Sequence, residues 1–319
     1  MAMDLWRFSR VVRAPRLCQT SLRLEYGQPL RSGATACAAV SLGVTRGLAV
    51  SLRGVASGAR IARRSRQDTG SELRDPEGDP VSESLRRALA EFQAEVSKPQ
   101  EEIDLTRAAA LLALHAEPDL DLEQKVFTPL RHLGEGFRLR AAELRRLGGD
   151  GDEALSTALC AYLTAEGFTG CSRSPEDFYQ SKYSLLHKVL EKRRGIPISL
   201  AVVYREVAAA AGLDLWGANF PGYFFLAYGH GSSAGLVDAF AGQSAHTVQG
   251  CQELVSEAFG RPARLAPGWA ELRMPHGAFL RRMVRNLEHV YKREANLSAA
   301  ATITQYAQVL DRTLENQRL

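Results

Sequence analysis

What this sequence lacks narrows its roles before any motif is read. It contains no uninterrupted apolar run of about 18 residues, so no membrane span is expected. Cysteine is scarce: five in 319 residues, with no Cys-x-x-Cys pair and no nearby His at ligand spacing. That argues against both a disulfide framework and a structural zinc site. Cys160, Cys171 and Cys251 read instead as reduced thiols packed as small apolar residues. No metal and no cofactor is expected.

Lysine is missing from one part of the chain in particular. Residues 1–66 hold twelve Arg, no Lys, and only Asp4 and Glu25 as acids, a balance of +10. The other 253 residues carry 28 basic and 34 acidic side chains, a balance of −6. An Arg-, Ser- and Ala-rich leader with stretches such as LWRFSRVVRAPRL, where Arg and apolar residues recur at helical spacing, has the composition of a mitochondrial transit peptide. Arg7, Arg10 and Arg13 interrupt any secretory apolar core. The competing reading is a basic arm for nucleic acid or acidic membrane surfaces, which the absence of Lys disfavours. Cut near Arg64 to Arg66, the mature chain is acidic and has no electrostatic reason to seek DNA or RNA. The expected location is therefore the mitochondrial matrix.

What is present beyond the leader is a linker and a folded body. QDTGSELRDPEGDPV, residues 67–81, is polar with Pro and Gly. From Ser82 the periodicity is helical: SESLRRALAEFQAEV, with Leu85, Leu89, Phe92 and Val96 on one face; a helix closed by Pro118; a third with breaks at its glycines up to Gly149; and DEALSTALCAYLTAEGF. SLLHKVLEKRR is a further helix, GIP breaks it, and SLAVVYREVAAAAG is apolar enough to be buried centrally. LWGANF, YFFLAY and GLVDAF read as three strands, the last two joined by GHGSSAG. Helices ELVSEAFG, AFLRRMVRNLEHVYKREA and LSAAATITQYAQVLDRTLEN follow, the last two turning at Asn296. The expectation is an α+β fold with a helical first part, a buried helix on a small antiparallel sheet, and a closing helical pair. Its boundaries are drawn at 82–260 for the core domain and 261–319 for the closing pair.

A buried helix that starts against a sheet carrying His and Asp is one physical solution for thiol catalysis, because the helix N-terminus lowers the thiol pKa and the His takes the proton. The stretches KYSLLHKVLEKRRGIPISLAVVY (182–204), NFPGYFFL (219–226) and LVDAF (236–240) resemble the SirB-type transglutaminase-like family, a module also found in an F-box protein. The resemblance runs from about Ser82 to the C-terminus. It implies a transglutaminase-like core, followed by a truncated tetratricopeptide-like helical pair. It also places the three catalytic positions at Pro197, where a Cys nucleophile would stand, at Tyr223, where the family commonly has His, and at Asp238, which is kept.

The residue chemistry agrees independently. Proline has no nucleophilic atom yet suits the first turn of a helix. Tyrosine is a poor base at neutral pH, but its hydroxyl can donate to a carboxylate such as Asp238. The first expectation is thus a non-catalytic protein that holds a protein partner, with Tyr223, Asp238, Phe225, Arg193 and Arg194 as the candidate cleft. Arg193 and Arg194 are equally explained as cations at a helix C-terminus. The alternative is an amide or ester hydrolase, or an acyltransferase, with a relocated nucleophile. That would be Ser199, otherwise an N-terminal capping group, or Cys251 with His246 five residues earlier. His187 reads as a half-exposed packing residue rather than a base. A purely structural subunit is a third possibility.

Overall fold

The computed structural model describes residues 80–316, except 221, 222 and 267. The transit peptide expected at 1–66 and all but the end of the 67–81 linker lie outside the described residues, as do Pro221 and Gly222 of the FPG motif.

The helical first part begins with α1 (Pro80–Val96). Its buried face is Ala88, Phe92 and Val96, at helical i, i+4 spacing, while Leu89 packs at the edge, a slight rotation from the expected stripe. Glu95 is buried beside that face and is satisfied by the Asp104 backbone N–H at 2.8 Å and the Lys98 ammonium at 2.8 Å. Asp104 in turn caps α2 (Leu105–Leu111) by accepting from the Arg107 N–H. A 3₁₀ turn, Leu112–His115, ends this segment before Pro118.

A π-turn at Glu123–Phe127 leads into α3 (Thr128–Arg146), which runs through Gly134 and Gly136 without the expected breaks. These glycines serve packing: a Cβ on Gly134 would lie 2.9 Å from the Ala210 Cβ, and one on Gly136 would collide with the Tyr162 hydroxyl. α4 (Asp152–Ala165) follows, then the short strand β1 (Thr169–Gly170), the single turn α5 (Pro175–Phe178) and α6 (Leu186–Lys192). Arg193 terminates α6 in the left-handed region at φ 54°. β2 (Arg194–Gly195) pairs parallel with β1, and α7 (Pro197–Ala209) starts at Pro197, its first helical residue.

α7 is the central helix that its composition predicts. Ile198, Leu200, Val202, Val203 and Val207 are all buried, and each such side chain contributes about 1.5–3 kcal/mol by leaving water. It packs on α2, α3, α4 and the sheet. The sheet is antiparallel: β3 (Trp216–Phe220), β4 (Tyr223–Tyr228), β5 (Gly235–Asp238) and β6 (Gln243–Ala245), in that spatial order. Ala218 faces Phe225, Leu226 faces Val237, and Val237 faces Ser244. β6, β1 and β2 were not expected; their two or three residues are too few to show a period. The architecture is α+β, as read from the sequence.

α8 (Val248–Phe259) covers β5 and β6, and α9 (His276–Arg293) and α10 (Leu297–Asn316) form the closing hairpin. The boundary drawn at 260/261 does not separate two cores. Phe279 of α9 packs edge-on against Phe224 of β4, ring centroids 4.7 Å apart, and Tyr306 of α10 packs on Phe92 of α1 at 4.9 Å. Apolar faces on both sides of that boundary have each other as their partner, which a linear reading of helices and strands cannot reveal.

His115 joins these layers. Its Nδ1–H donates to the Leu112 carbonyl, and its Nε2 accepts from the Tyr291 hydroxyl at 2.7 Å. Burial first, and the neighbouring His187 to a lesser extent, depress its pKa from 6.5 to about 4, against a smaller upward effect of the Leu112 carbonyl. Between those values the unfolded chain binds a proton that the folded chain refuses. Stability is therefore fully present above pH 6.5 and declines as pH falls toward 4, by about 1.4 kcal/mol per pH unit from this group. Urea unfolding between pH 7.5 and pH 5 should show this fall, and a His115→Gln variant should show a shallower one.

Candidate functional site

The three catalytic positions indicated by the sequence converge through one short strand. On β1, the Gly170 N–H donates to the Phe240 carbonyl at 3.0 Å. The next residue, Cys171, donates its N–H to the Gly195 carbonyl at 3.0 Å. Consecutive residues thus tie the end of the Asp238 strand to the turn that launches α7 at Pro197. The contact demands glycine: a Cβ on Gly170 would sit 2.6 Å from the Phe240 ring, and one on Gly195 would sit 2.7 Å from the Ser199 hydroxyl.

Asp238 is the polar centre. It is 2% exposed at the end of β5. Its Oδ1 accepts from the Phe240 N–H at 2.9 Å and the Ala241 N–H at 3.1 Å, and its Oδ2 accepts from the Tyr223 hydroxyl at 2.9 Å. Burial raises the carboxyl pKa above its ordinary value; the Ala241 N–H, the Tyr223 hydroxyl and the Phe240 N–H oppose it, as does the charge of Arg173.

Tyr223, at the start of β4, is 5% exposed. Its phenol is pushed above the usual range, first by burial and then by the Asp238 charge. It therefore stays protonated at neutral pH and acts as donor to Asp238, not as a base. Arg173 completes the chain: its Nη2 donates to the Tyr223 oxygen at 3.4 Å, and its guanidinium lies 5.1 Å from the centre of the Phe240 ring. Arg173 sits in a loop without periodicity, so nothing in the pattern of the sequence marked it.

The remaining expected site residues are placed differently. Phe225 is fully buried, 4.7 Å from the Tyr223 ring, so it supports the site from beneath instead of lining it. Arg193 turns away: its Nη1 donates to the Glu166 carbonyl at the end of α4 and pairs with the Glu166 carboxylate at 3.2 Å. The cation thus caps a neighbouring helix and not its own. Arg194 is exposed on β2 near Cys171 and Tyr183.

The two fallback nucleophiles have no base. Ser199 is fully buried and its hydroxyl is given to the Tyr183 carbonyl at 2.6 Å and the Ile196 carbonyl at 3.0 Å, so it neither caps a backbone N–H nor faces solvent. Cys251 is fully buried, with a thiol pushed up to about 11 by burial. His246 bonds instead to the Tyr228 hydroxyl and to Thr157 at 3.1 Å. His187 is buried, not half-exposed, with Nε2 3.0 Å from the Glu117 carboxylate. Cys171 is the thiol beside the start of α7, and burial first, then Asp177, raises it to about 12. Burial likewise raises Cys160 to about 12, and thiolates are the reactive form, so none of these three cysteines is poised. Among the described residues no group of three or more His, Cys, Asp or Glu side chains could hold a metal ion, and no helix is long and apolar enough to cross a membrane.

Comparison with known proteins bears on this geometry directly. A family model described as the transglutaminase-like superfamily matches residues 124–285, which span α3 through most of α9 and every position discussed above. A UPF0162 protein of Pseudomonas aeruginosa is 30% identical over 196 residues, covering 58% of this chain and 70% of that protein. A UPF0162 protein of Xylella fastidiosa is 33% identical over 124 residues, covering 38% of this chain and 44% of its own length. Human F-box only protein 21 is 32% identical over 89 residues, which is 25% of this chain and 14% of that one. No solved structure matches.

Removing only the phenolic oxygen tests the Asp238 centre. Tyr223→Phe leaves a buried carboxylate one donor short and should cost about 1–3 kcal/mol at pH 7 in chemical denaturation. An unchanged midpoint would show that solvent, not Tyr223, satisfies Asp238.

Proposed function

The chain belongs to the transglutaminase-like superfamily, and from that premise we propose that it is a non-catalytic member which acts in mitochondria by holding a protein partner at the degenerate site. Within the superfamily its motifs fit the SirB type, with the α9–α10 hairpin in the place of a truncated tetratricopeptide-like pair. The role this suits is an adaptor or assembly factor.

One observation carries the reading. At the positions where the resemblance puts the nucleophile and the base stand residues that serve structure, while the third, Asp238, is kept. Pro197 starts the helix where a thiol would be activated, and Tyr223 donates a hydrogen bond where a base would accept a proton. Ser199 gives its hydroxyl to backbone carbonyls, and the thiols of Cys160, Cys171 and Cys251 are buried. Localisation rests on the composition of residues 1–66, whose Arg content and near absence of acids suit import. The acidic balance of residues 67–319 is compatible with a matrix protein.

The test is co-purification from mitochondria of the tagged full-length chain beside a Tyr223→Ala/Asp238→Ala variant. We expect a stoichiometric partner with the first and its loss with the second, while both are imported and retain helical circular dichroism. Two results overturn the reading. One is the absence of any partner with either form. The other is hydrolysis of amide or ester substrates that disappears on Ser199→Ala or Cys251→Ser substitution.

A further inference from the structure

A line of aromatic rings runs from the degenerate site to α9, and cations cover it. Tyr223 and Phe240 have ring centroids 6.5 Å apart, Phe240 and Phe178 6.4 Å, and Phe178 and Tyr179 5.4 Å. At the site end the Arg173 guanidinium stands 5.1 Å from the centre of the Phe240 ring and 5.9 Å from that of Tyr223. At the far end Arg293 stands 4.4 Å from the centre of the Tyr179 ring, and the His289 ring meets that same tyrosine at 5.1 Å. Arg282, Arg285, His289 and Arg293 follow each other at spacings of three, four and four along α9, so they form one stripe.

Two of the acidic groups nearby are engaged inward, while Glu176 of α5 is exposed. Asp177 accepts from the Tyr183 hydroxyl at 2.9 Å, and Glu294 accepts from the Ser181 N–H at 2.9 Å. Arg173, Arg285 and Arg293 are exposed, and among the described residues none has a carboxylate within ion-pair distance. His289 is held below its ordinary pKa, first by burial and then by Arg293 and Lys292, which is the mark of a locally positive surface. This surface belongs to a chain whose residues 67–319 are net acidic, so the concentration of positive charge is against the trend of the body.

We propose that this arginine-covered aromatic ribbon is the docking surface for the partner, and that what it reads is an acidic, extended peptide segment. The inference rests on the binding reading above and adds the chemistry of the partner. The Arg293 guanidinium lies beside the Tyr179 ring, Arg173 gives one N–H to Tyr223 and has others left to donate, and a guanidinium edge matches a carboxylate in bidentate geometry. The ring-to-ring steps are each short enough that about six extended residues cover the ribbon. Carboxylates several residues apart on such a segment reach Arg173 and Arg293 together. Single-stranded RNA is the less suited occupant, because it needs open ring faces for its bases. Here Phe240 and Tyr223 are at most 8% exposed and guanidinium groups stand over the rings.

The experiment uses the full-length chain and fluorescence anisotropy with labelled hexaglutamate, hexalysine and hexauridylate. Hexaglutamate should bind with submillimolar Kd at 50 mM salt and weaken at 200 mM. The exposed-residue variant Arg173→Glu/Arg293→Glu should raise that Kd at least tenfold while keeping its helical circular dichroism, Arg293→Glu alone should weaken binding with an unchanged thermal midpoint, and Arg173→Lys/Arg293→Lys should recover only part of the affinity. Binding of hexaglutamate that ignores the charge reversal, or tighter binding of hexauridylate or hexalysine, overturns the proposal. So does no binding. The two readings fail separately: a mitochondrial partner kept by the charge-reversed chain but lost by Tyr223→Ala/Asp238→Ala leaves partner binding standing and removes its acidic chemistry.

Discussion

A carboxylate taken out of water must be given donors, and in this protein that requirement falls on Asp238. At 2% exposure it has two backbone N–H groups and the Tyr223 hydroxyl as its partners. Leaving such a group short of partners costs more than any one of these bonds contributes, so the turn at 239–241 and the rotamer of Tyr223 are both constrained by it. The turn presents the Phe240 carbonyl to β1, β1 holds the Gly195 turn, and that turn sets where α7 begins. One buried charge therefore aligns the sheet with the central helix.

The same arrangement is what the proposed non-catalytic role rests on. In a thiol enzyme the carboxylate would orient an imidazole and stabilise its charged form. Here it orients a phenol that stays protonated, and the packing demand on the residue is unchanged because an aromatic ring still sits between the strand and Phe240. At the helix start, proline supplies the fixed φ that a first helical turn prefers and leaves no orphan N–H. The surface beside these residues carries Arg285 and Arg293 of α9, which are exposed and, among the described residues, have no carboxylate within ion-pair distance.

Much of the fold was legible in the chain itself. The apolar run SLAVVYREVAAAAG could only be a buried helix, and WGANF, YFFLAY and GLVD are short apolar runs rich in aromatic and branched residues, as strands buried on both faces are. The hydrogen bond between Tyr223 and Asp238 was foreseeable because a phenol and a carboxylate on neighbouring strands have little else to satisfy them. Gly134 and Gly136 misled, since a glycine inside a helix looks like a break when the neighbour it makes room for, Ala210 or Tyr162, lies far along the chain. Arg193 misled for a similar reason. Its own helix offered a C-terminus to stabilise, but its left-handed backbone directs the guanidinium to the end of α4.

By itself the sequence determined which segments bury apolar faces, that proline stands at the start of the central helix and tyrosine at the start of the second strand, and that the first 66 residues are basic while the rest is acidic. These are local properties: composition, period and side-chain chemistry need no partner to be read. Only the tertiary structure decided that Ser199 spends its hydroxyl on backbone carbonyls, that Cys251 and His246 face different neighbours, and that Arg173 closes the site from a loop. Each depends on contacts between residues distant in the chain, and burial and hydrogen-bond partners exist only once those residues have been brought together.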